Sequence, residues 1–324
     1  MCGLRDNWLR FVHIGERLFL HYRPLTIAVS LLCLVAVCSI ARAAGPGVDE
    51  LAAVLWRYNE HSTNDLPIPS SDQLGDILKG HTVSLRKRTP IEDARGEPRD
   101  QIRVVGFQLV ERPRLLVWLA TLNIATQHAK RLTEYRIEDD SAGGSVWYQH
   151  LNTPWPVRNR HWVIRNDKNA DIARATQGLV WEHRWELAPS GRDIALNLML
   201  NETIDGLDEK KIDSTIYLNV NRGAWTMFAV NDDYTLVAVH TIADMGGWIP
   251  DSWVARFVSR QLGGVLKKLT ERADRVHEDY TGEQPVFSGD GKPITPTQAN
   301  AAQQHYQRNK EQSASAGTGA MRRH

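Results

Sequence analysis

The side chains able to move protons at neutral pH are scattered. His150, His161, His183 and His240 fall on separate runs of alternating apolar residues. Four imidazoles would suffice for acid-base chemistry or, if they converged, for a metal. Histidines on strands are also ordinary core and rim residues, and nothing in their spacing brings these together. The adjacent acids Asp139-Asp140 and Asp232-Asp233 point opposite ways along a strand, or sit in turns, and do not make a catalytic carboxylate pair. Asp167-Lys168-Asn169-Ala170-Asp171 begins like a calcium loop, but Gly178 stands where the closing glutamate belongs. The chain has no G-x-S-x-G elbow, no G-x-x-x-x-G-K-[ST] loop and no H-E-x-x-H. No catalytic residue, metal or cofactor is therefore expected, and the first expectation is a binding protein rather than an enzyme.

Composition narrows the partner. Basic and acidic residues nearly cancel, 39 against 38, so there is no global basic field to hold nucleic acid. Hydrophobic residues make up 42% of the 324 positions and charged residues 24%, an ordinary globular balance. Eleven tryptophans stand out. Each brings a large apolar face and a single donor, which suits an aromatic-lined interior.

The chain's beginning reads as a leader. Leu25–Ile40 is free of charge, Arg5, Arg10, Arg17 and Arg23 precede it, and Ala41-Arg42-Ala43 follows. A basic region, a short apolar core and a small-x-small site predict a signal peptide over 1–43, cut after Ala43, and hence export, to the periplasm if the cell is Gram-negative. The alternative is an inner-membrane anchor over 25–40. Cleavage would remove Cys2, Cys33 and Cys38, and would leave 34 basic against 36 acidic residues. From Thr281 onward the chain is rich in Gly, Pro, Gln, Ser and Ala, so 281–324 is expected to be a disordered tail with at most a short helix near Gln298–Asn309. One folded domain is expected over 48–280.

Within that domain, helical spacing predicts helices over Val48–Asn59, Pro113–Asn123, Ala125–Tyr135 and Asp251–Asp279. Alternation predicts strands at His81–Arg88, Gln101–Val110, Ser145–Leu151, His161–Asp167, Leu179–Leu187, Asp193–Leu200, Ser214–Asn221, Trp225–Val230 and Tyr234–Ile242. That order is α+β, an antiparallel sheet with one face buried under a long terminal helix. Parity then sorts the side chains. Trp181, His183 and Trp185 share a face with Leu179 and Leu187, and Ile194, Leu196, Leu198 and Leu200 repeat the pattern.

Two segments resemble a known family. Trp147–Arg165 contains Pro154-Trp155-Pro156 and Arg158-Asn159-Arg160-His161-Trp162, and Asp244–Val254 contains Gly246-Gly247-Trp248-Ile249-Pro250. Together and in this order they resemble the START lipid-transfer domains, with a Pro-aromatic-Pro turn between mid-domain strands and a Gly-x-Ile-Pro step into the last helix. The resemblance covers roughly 50–275. It implies a helix-grip fold: a curved antiparallel sheet wrapped around the long C-terminal helix, with an internal tunnel for a lipid or other large apolar molecule. Where some members hold a cavity salt bridge, this chain has Trp147 and Asn166, so no sterol is implied. Under the resemblance Trp147, Gln149, Leu151, Trp162, Ile164 and Asn166 face the tunnel with Trp181, His183, Trp185, Leu196 and Leu198. Gly246, Gly247, Trp248, Trp253, Phe257, Gly263 and Gly264 would form a lid in transient contact with a membrane surface. The alternative is an enzyme of the same broad fold, a cyclase or hydrolase, with His183 or His150 as base.

Overall fold

The computed structural model describes residues 45–321 apart from 93–95, 97, 123–130, 140–143, 154, 156, 212–213, 247–250 and 284. The leader, its apolar core and cleavage site, Pro154, Pro156, Gly247 and Trp248 lie outside the described residues.

Helix α1, Val48–His61, buries the stripe Leu51, Leu55 and Tyr58, and the Glu50 carboxylate accepts from the backbone N–H of Gly47 at 2.7 Å. Helix α2, Ser71–Leu78, was not signalled by the pattern; it starts on a capping box in which Ser70 and Gln73 satisfy each other's backbone donors. Strands β1, Val83–Glu92, and β2, Pro98–Val110, form a hairpin. Helix α3, Arg114–Leu122, follows, then β3, Leu132–Asp139, β4, Ser145–Leu151, and β5, Asn159–Lys168. After α4, Ala170–Ala175, come β6, Val180–Leu187, and α5, Gly191–Leu200. Strands β7, Thr215–Tyr217, β8, Val220–Ala229, and β9, Thr235–Asp244, complete the main sheet. The long helix α6 spans Asp251–Ala273, and a single turn, α7, Val276–Asp279, follows it.

The sheet has nine strands in the order β1-β2-β9-β8-β6-β5-β4-β3, with β7 paired to β5. Every pairing is antiparallel except the short parallel β5–β7 contact. With C-terminal helices against this sheet, the domain is α+β and has the helix-grip arrangement. The β8–β9 turn forms where the sequence places it: the Asn231 side chain accepts from the N–H groups of Asp233 and Tyr234.

Five expectations change. The sheet is buried on both faces, not one. Helices α3 and α6 cover Val104, Met227, Val237 and Val239. On the opposite face α1 and α2 cover Val105, Phe107, Phe228, Leu236 and Ala238. The amphipathic stripe of α1 needs an apolar partner, and the second face of β2, β8 and β9 supplies one.

The run Asp193–Leu200 is helix α5, not a strand. Its alternating leucines also fit a helix, and the fully buried residues are Gly191, Ala195 and Met199, four apart. Conversely, Leu132–Tyr135 belongs to strand β3 rather than to a helix.

The described residues of 281–321 are structured, not a disordered tail. Strands β10, Val286–Phe287, and β11, Pro293–Ile294, make a small hairpin, and helix α8 spans Pro296–Met321. The Trp118 indole donates to the Phe287 carbonyl at 2.9 Å, the Tyr280 hydroxyl donates to the Ile294 carbonyl at 2.7 Å, and Ala299 and Tyr306 are buried. This stretch is poor in branched apolar residues, but a few well-spaced ones dock it.

Finally, the space between α6 and the sheet is filled. A Cβ added at Gly106 of β2 would meet the Leu262 side chain of α6 at 2.9 Å. The cavity lined by β2, β9 and α6 residues such as Val104, Thr241 and Val258 measures about 10 Å³, room for about one water. Below α6 there is a packed core rather than the expected tunnel.

Candidate functional site

The register places the expected lining residues of β4, β5 and β6 on one face. Trp147 lies opposite Ile164, Gln149 opposite Trp162, and Asn166 opposite Trp185. Lys168 pairs with His183, and His183 with Trp225 of β8. Since Trp225 and Trp185 pack toward the α3–α6 cluster, this is the inner face. Parity thus brings Trp147, Gln149, Leu151, Trp162, Ile164, Asn166, Trp181, His183 and Trp185 to the same side.

That inner face has a filled half and an open half. At the filled end the buried Trp118 ring meets Trp181 edge-on at 5.5 Å and His183 at 5.3 Å. The β10–β11 hairpin closes over it, leaving no room for a Cβ at Gly289 beside the Trp181 ring. Over β4 and β5 the apolar cluster contains Trp147, Leu151, Trp162 and Ile164 but takes no residue from α6. Trp162 and Ile164 form its buried floor, and Trp147, Gln149, Leu151, Asn166 and Trp185 remain half-buried.

A few polar groups are set into this surface. The Gln149 amide donates to Glu134 of β3 and accepts from the Trp162 indole. The Trp147 indole donates to Ser145 at 2.9 Å, and the Arg136 guanidinium lies 5.4 Å from the Trp147 ring. The Trp185 indole donates to Asn221 at 3.1 Å. Trp185 can lie against β8 because residue 223 is glycine: an added Cβ would be 2.4 Å from the ring. The Nε2 of His183 is buried without a hydrogen-bond partner. Burial, with Lys168 nearby, pulls the His183 pKa down to about 3, so the ring is neutral at physiological pH.

Other expectations do not join this surface. Leu196 and Leu198 ride on α5, which packs on the opposite face: Gly191, at the start of that helix, abuts Val163 and the Tyr217 hydroxyl. Leu196 is exposed. His150 also points away, paired with Thr133 and His161. His161 contacts the Tyr148 and Tyr217 rings on that outer side. The four histidines therefore do not converge, and among the described residues no group of three or more His, Cys, Asp or Glu could hold a metal.

Of the expected lid, Gly246 takes a left-handed backbone, φ 67°. Its joint is fastened: the buried Arg160 donates to the carbonyls of Met245 and Gly246 at 2.9 and 3.1 Å. Arg160 thereby ties together the two segments that carry the family resemblance. Trp253 and Phe257, one turn apart on α6, are 61% and 62% exposed, more than an ordinary helix leaves of two neighbouring aromatics. At Gly263 and Gly264 an added Cβ would have no neighbour within 4 Å outside the helix's own backbone.

Sequence reasoning missed Glu134, Trp118 and Gly223. Glu134 was hidden by reading its segment as a helix. Glycine within the alternating run Val220–Ala229 is the signal that would have found Gly223.

No protein-family profile matches the chain, and no curated protein does. Solved structures resemble it weakly. Human STARD10 aligns with a TM-score of 0.44 at 10% identity, covering 62% of this chain and 76% of that one. A STAR-related lipid transfer protein from Xanthomonas axonopodis aligns at 0.39 with 19% identity, over 57% and 98% of the two chains. The Zhui aromatase/cyclase from Streptomyces sp. R1128 aligns at 0.33 with 14% identity, over 53% and 93%. With every TM-score below 0.5, these likenesses carry no argument about ligand or activity; the fold class rests on the sheet and helices described above.

Proposed function

We propose that the protein binds a lipid or other large apolar molecule, without turning it over, on the open half of the inner face, and carries or senses it. The observation that carries this reading is the one-sided array itself. Trp147, Leu151 and Trp185 are half-buried around a floor of Trp162 and Ile164, a combination that leaves apolar area wet until something covers it. At roughly 25 cal/mol per Å² of apolar surface removed from water, covering a few such side chains supplies several kcal/mol. Gln149 and Asn166 stand within the apolar surface and would orient a polar headgroup.

The enzyme alternative gains nothing from the geometry. His150 is on the wrong face. A neutral His183 with a conjugate acid near 3 is too weak a base for proton transfer around pH 7. The proposal extends to location and route. Export with cleavage after Ala43 predicts a mature N-terminus at Ala44, while an uncut Met1 start on a membrane-extracted protein supports the anchor over 25–40. Exposed Trp253 and Phe257, flanked by Arg256, Arg260, Lys267 and Lys268, suit a transient contact of α6 with an anionic membrane surface.

The test is displacement of a fluorescent apolar probe, 1-N-phenylnaphthylamine. The wild type should bind it saturably, and the Trp147→Ala, Trp185→Ala double variant should bind it at least tenfold more weakly. Equal binding by wild type and double variant, both folded, overturns the assignment.

A further inference from the structure

The face of the sheet opposite the aromatic residues has its own hollow, about 190 Å³, across one end of β2, β9, β8, β6 and β5. Its chemistry is different. Arg184, Ala224 and His240 stand side by side across β6, β8 and β9. The methyl of Ala224 is the smallest side chain of the three, so a gap opens between a guanidinium and an imidazole. Arg103 comes in from the flanking strand β2 and Arg222 from two residues along β8, and four arginines line the hollow against two carboxylates, Asp167 and Glu186. Asp167 is already engaged by Arg165 at 3.3 Å, and Glu186 lies opposite Arg165 in the ladder.

Two of the groups, Arg103 and His240, are buried and short of hydrogen-bond partners. Arg103 is 5% exposed and His240 6%. Among the described residues the Arg103 guanidinium donates to neutral acceptors, the Asp65 carbonyl at 3.0 Å and the Asn64 amide oxygen at 3.5 Å, and its Nε has no partner. Both ring nitrogens of His240 are likewise buried and unpartnered. Burial holds the Arg103 pKa below its ordinary value and Arg222 adds to the effect, against the opposing pull of Tyr58, Asp65 and Glu182; burial with Arg103 and Arg222 takes His240 down to about 3. A buried cation hydrogen-bonded to neutral acceptors and an orphaned imidazole both cost stability. A bound anion relieves both.

We propose that this hollow binds the phosphate group of a phosphate monoester. Arg103, Arg184 and Arg222 approach from three different strands rather than as one planar fork. That arrangement suits a tetrahedral oxyanion, and charge-assisted hydrogen bonds of this kind are the strong ones. A neutral His240 supplies one further N–H donor. Trp185 and Gly223 of the inner face touch its edge, but Arg103, Arg184, Arg222 and His240 are on the other side of the sheet from the apolar surface.

The experiment is isothermal titration calorimetry on the full chain in dodecyl maltoside. Three probes are used: inorganic phosphate, glycerol 3-phosphate, and phosphatidic acid doped into the micelles. Wild type should bind at least one with one-to-one saturation. Arg184→Gln and Arg222→Gln, whose side chains are less buried than Arg103, should each weaken binding at least tenfold, while Lys79→Gln, an exposed position just after α2, should leave it unchanged. Binding of the soluble phosphates alone identifies a free phosphate monoester, and binding of phosphatidic acid identifies a lipid headgroup; each supports the site. No saturable binding of any probe overturns it, and so does undiminished binding by the folded Arg184→Gln, Arg222→Gln double variant.

Discussion

Replacing Gly263 and Gly264 of α6 by alanine should stabilise the protein. Interior helix glycines cost about 1 kcal/mol each relative to alanine. The usual reason to keep them is close packing, and here an added Cβ meets nothing within 4 Å at either position. Neither residue has a positive φ. The full benefit of about 2 kcal/mol is therefore available, or roughly 4–8 °C in Tm at 2–4 °C per kcal/mol. Gly106 on the facing strand is the opposite case. Its Cβ would fall 2.9 Å from Leu262 Cδ1 and 3.4 Å from Leu266 Cδ1, so Gly106→Ala should cost about 1–3 kcal/mol by overpacking. Circular dichroism melts of the three variants measure both signs. If α6 must bend to admit a ligand, the Gly263→Ala, Gly264→Ala variant should also slow lipid exchange between vesicles. A Tm that fails to rise refutes the packing argument, and a raised Tm with unchanged exchange shows that α6 is a wall and not the gate.

Four histidines, three buried and His183 half-buried, set an acid limit. Burial lowers His183 and His240 to about 3 and His150 and His161 to about 4, against about 6.5 unfolded. The unfolded chain thus binds more protons between those values, so stability present above pH 6.5 should be lost as pH falls toward 4, by about 1.4 kcal/mol per pH unit for each histidine; melts from pH 7 to 4.5 should show the fall, flattened in His150→Phe. His183→Leu removes a buried Nε2 without a partner and should be neutral or stabilising in a denaturant titration, where a loss above 3 kcal/mol would mean the ring has a partner in solution. Deleting 286–321 takes the Phe287 carbonyl from the Trp118 indole and uncovers Trp181; the melt should fall by several degrees, and an unchanged melt would mean the segment is not docked.

The inner face was legible because a strand alternates with period two. Once Trp147 was placed inward, Gln149, Leu151, Trp162, Ile164 and Asn166 followed, and the ladder agrees. The same rule failed at Asp193–Leu200, where alternate leucines also satisfy a helix and only burial of Ala195 and Met199 decides. The second buried face could not be read from Val180, Glu182 and Arg184, because a charge there reads as solvent. Glu182 is in fact 1% exposed and holds the hydroxyls of Tyr58 and Thr226 at 2.6 and 3.0 Å and the Asn169 amide at 2.7 Å. Those partners come from three separate elements. The basic hollow was invisible for a related reason: Arg103, Arg222 and His240 become neighbours only because β9 lies between β2 and β8.

The most direct test of the central claim is mass spectrometry of the organic extract from the full chain, purified gently from its native cells. The account predicts one class of apolar molecule at near one-to-one stoichiometry in the wild type, and its loss from a folded Leu151→Glu variant, which sets a charge in the open half of the inner face. An extract without a stoichiometric apolar molecule, or one retained equally by Leu151→Glu, would contradict it.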